Sequence, residues 1–320
     1  MSYSLKPLPT IFSERMVQIM GEECFASILS FFSRIRPTVF RVNPLKIKTQ
    51  ALVDELQAEG FDLSAVQGFD GVFRVPEEQR RLLTESPAFH EGRLYIQNLS
   101  SMLAPRLLAP KPDETVLDLA AAPGGKTLQL AAMMQNQGQL SAVESVKSRF
   151  FKLRANLESQ GVTCVRTFLM DGRAVGNKCP ERFDRVLLDA PCSSEARFNQ
   201  LNPDSWSHWS LKKVSECARK QRRLLLSALH SLKPGGVMIY CTCSYAPEEN
   251  ELVIAHALKR LGNKLSVEAV DTGIENTMDG ITCWQGKPLD HSLSQCRRIL
   301  PSPLMDGFFL CKVKKLASFS

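Results

Sequence analysis

No stretch of these 320 residues reaches the roughly 20 consecutive apolar residues that a membrane-spanning helix needs. The opening MSYSLKPLPTIFSERM holds no apolar core of a secretory leader. Its ten cysteines are scattered, so the expectation is free thiols in a reducing cytoplasm. There is no C-x2-C pair, and histidines 90, 208, 230, 256 and 291 form no H-x3–5-H partner, which argues against zinc. The phosphate-loop spacing G-x-x-x-x-G-K-[ST] is missing, as are internal repeats and low-complexity tracts.

What is present is length enough for one large domain or two, with 44% hydrophobic residues to fill a core. The net charge of +7 is uneven. Residues 1–110 carry 12 basic and 12 acidic side chains, whereas residues 111–320 carry 28 and 21. The densest basic run, SLKKVSECARKQRRLLLSALHSL at 210–232, sets Lys212, Lys213, Arg219, Lys220, Arg222 and Arg223 against Glu216 alone. An isolated run of this kind usually marks a solvated helix face; contact with phosphates is the functional alternative.

The rhythm of the chain changes near residue 113. Before it, residues 1–35 read as helical, TVFRVNPLK (38–46) as a strand and turn, TQALVDELQAEGF as an amphipathic helix ending at Gly60, and DGVFRVP as a second strand. This predicts a small α+β domain over 1–110. After it, five hydrophobic strands alternate with helices: ETVLDLA, GQLSAVES, CVRTFLMDG, FDRVLLDAPC and GGVMIYCTCS. That alternation predicts an α/β domain over 111–320 with a mostly parallel, doubly wound sheet, whose ligands sit beyond the carboxyl ends of the strands.

Chemistry-bearing residues collect at those ends. LDLAAAPGGKT (117–127) passes from strand through Ala120, Ala121, Ala122, Pro123, Gly124 and Gly125 to a helix opening at Lys126. Small residues admit a ligand close to the backbone, and a helix start offers free N–H groups. Glu144, Asp171 and Asp189 end the next three strands. A carboxylate after the second strand suits a ribose diol, although any one of the three could be a helix cap. Cys192 ends the fourth strand, and Cys241 and Cys243 end the fifth. If those strands are neighbours, Cys192 and Cys243 meet beside the glycine turn. They are then either buried structural thiols or a nucleophile with a second thiol to move a proton, and Asp189 is free to hydrogen-bond a substrate ring.

These motifs resemble those of the Nop/Sun-type RNA cytosine-5 methyltransferases, which include bacterial 16S ribosomal RNA methyltransferases. FRVNPLK (40–46), GRLYIQNLSSMLAP (92–105), LDLAAAPGGKT, DAPCS, TCS-x-x-x-EEN and the final DGFF carry the likeness along most of the chain. The resemblance implies a class I S-adenosyl-L-methionine methyltransferase (Rossmann-like) fold. In it Cys243 attacks carbon 6 of cytosine, Cys192 helps remove the carbon 5 proton and release the enzyme, and Asp189 binds the base edge. Ala120 to Lys126, Glu144, Asp171 and Asp189 surround the cofactor, while Cys241 has no role and reads as a packed thiol. RNA is the implied partner, ribosomal rather than transfer RNA, with no membrane, no metal and a monomeric, cytoplasmic protein. The chain departs from the pattern after DAPCS, where the family usually carries glycine and this sequence reads SSEARF, with Ser194 and Ala196. No added RNA-binding domain is expected after DGFF. Two other classes compete: an RNA-binding ribosome-assembly factor with vestigial catalysis, disfavoured by the intact Cys192, Cys243 and Asp189, and a small-molecule methyltransferase, disfavoured by the basic excess. A methyltransferase of exocyclic amines would carry an Asp/Asn-Pro-Pro-aromatic motif in place of DAPC.

Overall fold

The computed structural model of the protein describes residues 5–319; the first four residues of the expected helical start lie outside them. Helix α1 (Thr10–Met20) buries Phe12, Met16 and Ile19, a stripe at helical spacing, and α2 (Glu22–Leu29) buries Phe25 and Ile28. Both close over the end of the larger domain, where Phe12 packs against Phe198, Trp209 and Tyr245.

The next elements build a small antiparallel sheet. They are β1 (Thr38–Val42), α3 (Thr49–Ala58), β2 (Ser64–Ala65), β3 (Val72–Val75), α4 (Arg80–Glu85), α5 (Pro87–His90) and β4 (Leu94–Ile96). The strand order is β2-β3-β1-β4. Leu52 and Leu56 of α3 pack with Phe40, Val42, Val75 and Leu94 in its core. Helix α6 (Leu99–Leu108) leads into the large domain, and the Asn98 side chain caps it by accepting from the Ser100 N–H at 3.0 Å.

The large domain runs β5 (Thr115–Asp118), α7 (Gly125–Met133), β6 (Gln139–Glu144), α8 (Lys147–Ser159), β7 (Val165–Leu169), α9 (Val175–Lys178), β8 (Phe183–Asp189), α10 (Leu211–Ser231) and β9 (Leu232–Thr242). Then follow α11 (Glu251–Leu261), β10 (Leu265–Glu268), β11 (Thr277–Asp279), the short hairpin β12 (Cys283–Trp284) and β13 (Lys287–Pro288), β14 (Arg297–Ile299) and β15 (Phe308–Lys315). The five expected strands pair in parallel in the order β9-β8-β5-β6-β7. The sheet then continues antiparallel through β15, β14 and β11, with β10 also on β15. It is therefore mostly parallel in its functional half, as the alternation implied.

Chain order runs outward from β5 to β7 on one side, then crosses back to β8 on the other. The crevice between the ends of β5 and β8 is thus the topological switch point, where a doubly wound sheet takes its ligand. Helix α10 seals one face by burying Val214, Cys217, Ala218, Leu224, Leu225, Ala228 and Leu229. Its Lys212, Lys213, Arg219 and Arg223 are exposed. No helix among the described residues is long and apolar enough to cross a membrane.

The small sheet is locked to the large one through buried polar groups. Arg41 on β1 donates to Gln97 Oε1 at 3.1 Å and to the Gly125 carbonyl at 3.3 Å. Asn43 donates to the Gly92 carbonyl at 2.8 Å and to the Gln160 carbonyl at 2.9 Å.

Candidate active site

Two adjoining cavities open at the switch point. The first, about 790 Å³, lies between the small sheet and the end of β5. Ala120, Ala121, Ala122, Pro123, Gly125 and Lys126 line it together with Asp118 and Asp189. Gly124 holds φ +115°, a backbone that side chains rarely adopt, and so turns the chain sharply into α7. A Cβ on Gly125 would stand 3.0 Å from the Tyr95 ring and 3.4 Å from Gln97, so only glycine lets the loop pass beneath the small sheet.

Asp118 was not among the residues expected from the sequence. It is 1% exposed; its Oδ2 accepts from Thr127 Oγ1 at 2.7 Å, while Oδ1 has no partner. Burial pushes its carboxyl up to about 6.

The second cavity, about 390 Å³, lies beyond β8 and β9. Because these strands are parallel neighbours, with Asp189 opposite Cys241, their following loops converge. Cys192 Sγ and Cys243 Sγ stand 3.1 Å apart at its wall. The hydrogen bond from Cys192, then the Arg197 charge, draw the Cys243 thiol below its ordinary value against burial. The same contact and burial push Cys192 well above it. The bias within the pair therefore favours ionisation at Cys243 and a retained proton on Cys192.

Lys126 joins the two cavities. Its ammonium donates to Asp189 Oδ2 at 2.7 Å and to Ser101 Oγ at 2.6 Å, and sits 5.4 Å from the Phe308 ring centre. Burial opposes its charge, but Asp189 outweighs that and raises its pKa.

Two buried carboxylates stitch the cysteine loops together. Glu249 accepts from the Ser193 N–H at 2.9 Å, from the Ser193 hydroxyl, from Ser244 Oγ at 2.8 Å and from Gln221 Nε2 at 2.9 Å. Burial pushes it up to about 7. Glu195 accepts from the Tyr245 N–H at 2.9 Å, the Ala246 N–H at 2.8 Å, Ser244 Oγ at 3.0 Å and Trp209 Nε1 at 3.0 Å.

The remaining expected residues lie outside the cavity lining. Glu144 is 3% exposed, accepts from the Val146 N–H at 2.8 Å and lies 3.5 Å from Arg149, which lines both cavities. Asp171 accepts from the Arg173 N–H at 2.9 Å and pairs with the Arg173 guanidinium, in the manner of a cap. Cys241 is fully buried in an apolar cluster that includes Ile239 and Leu310, its sulfur 3.7 Å from Asp189 Oδ1. Of the residues that sequence reading missed, Asp118 ends its strand inside a quoted motif and Glu249 sits within the EEN motif. Glu195 and Arg197 carry no local signal, because what gives them a place in the site is the Cys243–Ala246 segment, some 50 residues away. No group of three or more His, Cys, Asp or Glu able to hold a metal occurs among the described residues.

The chain was compared with known proteins. The family model for 16S rRNA methyltransferase RsmB/F matches residues 105–314, and that for the N-terminal domain of 16S rRNA methyltransferase RsmF matches residues 8–99. A protein named ribosomal RNA small subunit methyltransferase F from Vibrio campbellii is 37% identical over 281 residues, 87% of this chain and 57% of its own length. Its Vibrio vulnificus counterpart is 35% identical over 315 residues, 97% of this chain and 65% of its own. The chain thus spans under two thirds of the length of these relatives. A crystal structure of a methyltransferase homolog from Pyrococcus horikoshii superposes with a TM-score of 0.83 at 35% identity, covering 97% of this chain and 96% of that one. NSun6 from the same organism shares the fold with a TM-score of 0.81 at 24% identity, covering 97% and 99%.

Proposed function

This chain belongs to the 16S rRNA methyltransferase RsmB/F family, and we propose that it methylates carbon 5 of a cytosine in structured RNA, ribosomal before transfer RNA, through a covalent cysteine adduct. One observation carries the reading: two thiols of opposite protonation bias, 3.1 Å apart, face the cavity next to the one lined by the glycine turn. The turn fits S-adenosyl-L-methionine, because its small residues line, together with Asp118, a space large enough for it. When bound, that cofactor supplies an electrophilic methyl group.

The chain's own residues then divide the work. Arg197 and Cys192 hold Cys243 as a thiolate, whose sulfur forms a bond to carbon 6 and leaves carbon 5 electron-rich. Asp189, fixed by Lys126, accepts from the cytosine edge, and the Lys126 ammonium hydrogen-bonds the ring where charge builds up. Once Cys243 is bonded to carbon 6 it no longer holds the Cys192 proton in place, and Cys192 gives that proton to water in the cavity. After methyl transfer the Cys192 thiolate takes the carbon 5 proton, the C5–H electron pair re-forms the C5–C6 double bond, the C6–S bond breaks, and Cys243 leaves with that bond's electrons as a thiolate. The target base leaves its stack to reach this depth, and the exposed basic face of α10 together with residues 1–110 holds the RNA backbone.

The test is in vitro methylation of small-subunit RNA with S-adenosylmethionine, read by bisulfite sequencing. A single protected cytosine that depends on the protein is expected. Incorporation into an exocyclic amine, or none into RNA, would overturn the reading.

A further inference from the structure

The loop after Cys192 contains a residue that its backbone does not favour. Ser194 holds φ 62° and ψ 31°, the left-handed region that glycine enters freely and other residues rarely. The resembled family usually has glycine here. The turn is fixed by its surroundings: the Arg197 N–H donates to the Ser194 carbonyl at 2.9 Å, and the Ala196 N–H donates to the Cys243 carbonyl at 3.0 Å. What serine adds is a hydroxyl, and its Oγ accepts from the Cys243 thiol at 3.6 Å on the wall of the 390 Å³ cavity; once that thiol ionises, the same hydroxyl is left to turn its own hydrogen toward the sulfur.

We propose that the Ser194 hydroxyl is a positioning residue for Cys243, donating a hydrogen bond to its sulfur in the thiolate form. The proposal rests on Cys243 being the nucleophile. Glycine in the same turn would place no donor there. A donor to the thiolate favours ionisation and fixes the direction in which the sulfur lone pairs point, and it makes each thiolate a slightly weaker nucleophile. The other charged or titratable groups facing Cys243 are Cys192 and Arg197 from the same loop, Asp189 from the end of β8, and Tyr245 beyond the nucleophile itself.

The experiment is alkylation of the full-length protein by iodoacetamide across a pH series, with labelling of Cys243 read by fragment mass spectrometry. Ser194→Ala and Ser194→Gly are compared with the parent. Both variants should move the labelling midpoint upward by the same amount, about one pH unit. That makes labelling on the acid side roughly threefold slower, since a tenfold smaller thiolate fraction is partly offset by a more reactive thiolate, and the alkaline plateau about threefold faster. Melting temperature should separate them, because glycine alone relieves the left-handed turn. A midpoint unchanged in both variants overturns the proposal. A midpoint moved only by Ser194→Ala also overturns it, since strain rather than the hydroxyl would then be responsible. Neither RNA nor cofactor enters this assay. Failed methylation with a shifted midpoint therefore sinks the proposed function alone, and normal methylation with an unmoved midpoint sinks this proposal alone.

Discussion

The two halves of the site are made by different means. The turn proposed to hold the cofactor is one continuous piece of chain, from Asp118 through the alanines to Lys126, and its shape comes from small residues, a left-handed glycine and a helix start. The cysteine side is two loops some 50 residues apart, brought together by parallel pairing of β8 and β9 and held by Glu195 and Glu249. The first half needs local geometry and tolerates little bulk. The second needs long-range hydrogen bonds between buried polar groups, in which every loss leaves donors unsatisfied. Substitutions should therefore act in steric fashion on one side and through electrostatics and alignment on the other.

The largest expected effect falls on the thiols. Cys243→Ala should abolish methyl transfer and form no covalent RNA adduct. Cys192→Ala should still attack but release poorly, so an adduct that survives a denaturing gel should build up when cofactor is present. If the adduct accumulated with Cys243→Ala and vanished with Cys192→Ala, the two roles would be exchanged. Normal methylation by both variants would end the covalent mechanism.

Next comes the stitching. Glu249 is fully buried and its carboxyl is raised from 4.5 to about 7. The folded state therefore binds the proton more tightly than the unfolded one. Its contribution to stability is complete below about pH 4.5 and is lost as pH rises to about 7, by up to about 3 kcal/mol. Asp118, raised from 3.8 to about 6, slopes the same way at lower pH. Urea unfolding over this range should show wild-type stability falling relative to Glu249→Gln, which has no such titration and keeps the Asp118 slope. Parallel curves for the two proteins would mean that Glu249 titrates alike in the folded and unfolded states.

This contrast also governs what the sequence could disclose. The parallel core was readable because β5, β6, β8 and the second half of β9 are rich in buried apolar residues and alternate with helices, whereas β7, half-exposed at the sheet edge, was readable from that alternation. The glycine turn was readable because its geometry is local. The meeting of Cys192 and Cys243 was conditional on strand order, which one sequence does not state. The antiparallel strands β10, β11 and β14 span only three or four residues each, and their pairing depends on β15. Glu195 and Arg197 look like ordinary loop charges until the fold buries one and aims the other at a sulfur. Asp171 illustrates the opposite hazard: a strand-end carboxylate can be satisfied as a cap.

On the cofactor side the expected effect is smaller. Glu144→Ala should weaken binding of S-adenosylmethionine about tenfold, or ~1.4 kcal/mol, if two ribose hydrogen bonds are lost. Calorimetry reads this directly. Because Glu144 contacts Arg149 and only Arg149 lines the cavities, Arg149→Ala sharpens the result. Weakening by Arg149→Ala with none from Glu144→Ala would remove the carboxylate from direct contact.

The smallest effect belongs to Cys241, two residues before Cys243, which directly follows the end of β9 at Thr242. Side chains at i and i+2 share a face, so position alone does not separate the two thiols; their surroundings do. Cys243 lines the open cavity beside Cys192, whereas Cys241 is fully buried among Ile239, Leu310 and other apolar neighbours. Burial, followed by the Asp189 charge, pushes the Cys241 thiol well above its ordinary value, so it stays protonated and unreactive. Its sulfur lies 3.7 Å from Asp189 Oδ1, a weak contact next to the 2.7 Å ion pair that Lys126 makes with the other oxygen. Cys241→Ala removes one sulfur from the core and should cost about 1 kcal/mol of stability with methylation within about threefold of wild type. Denaturant midpoints and initial rates measure the two separately. A loss of activity well beyond threefold, with stability little changed, would show that the weak Cys241 contact aligns Asp189, and the buried thiol would then count as part of the site.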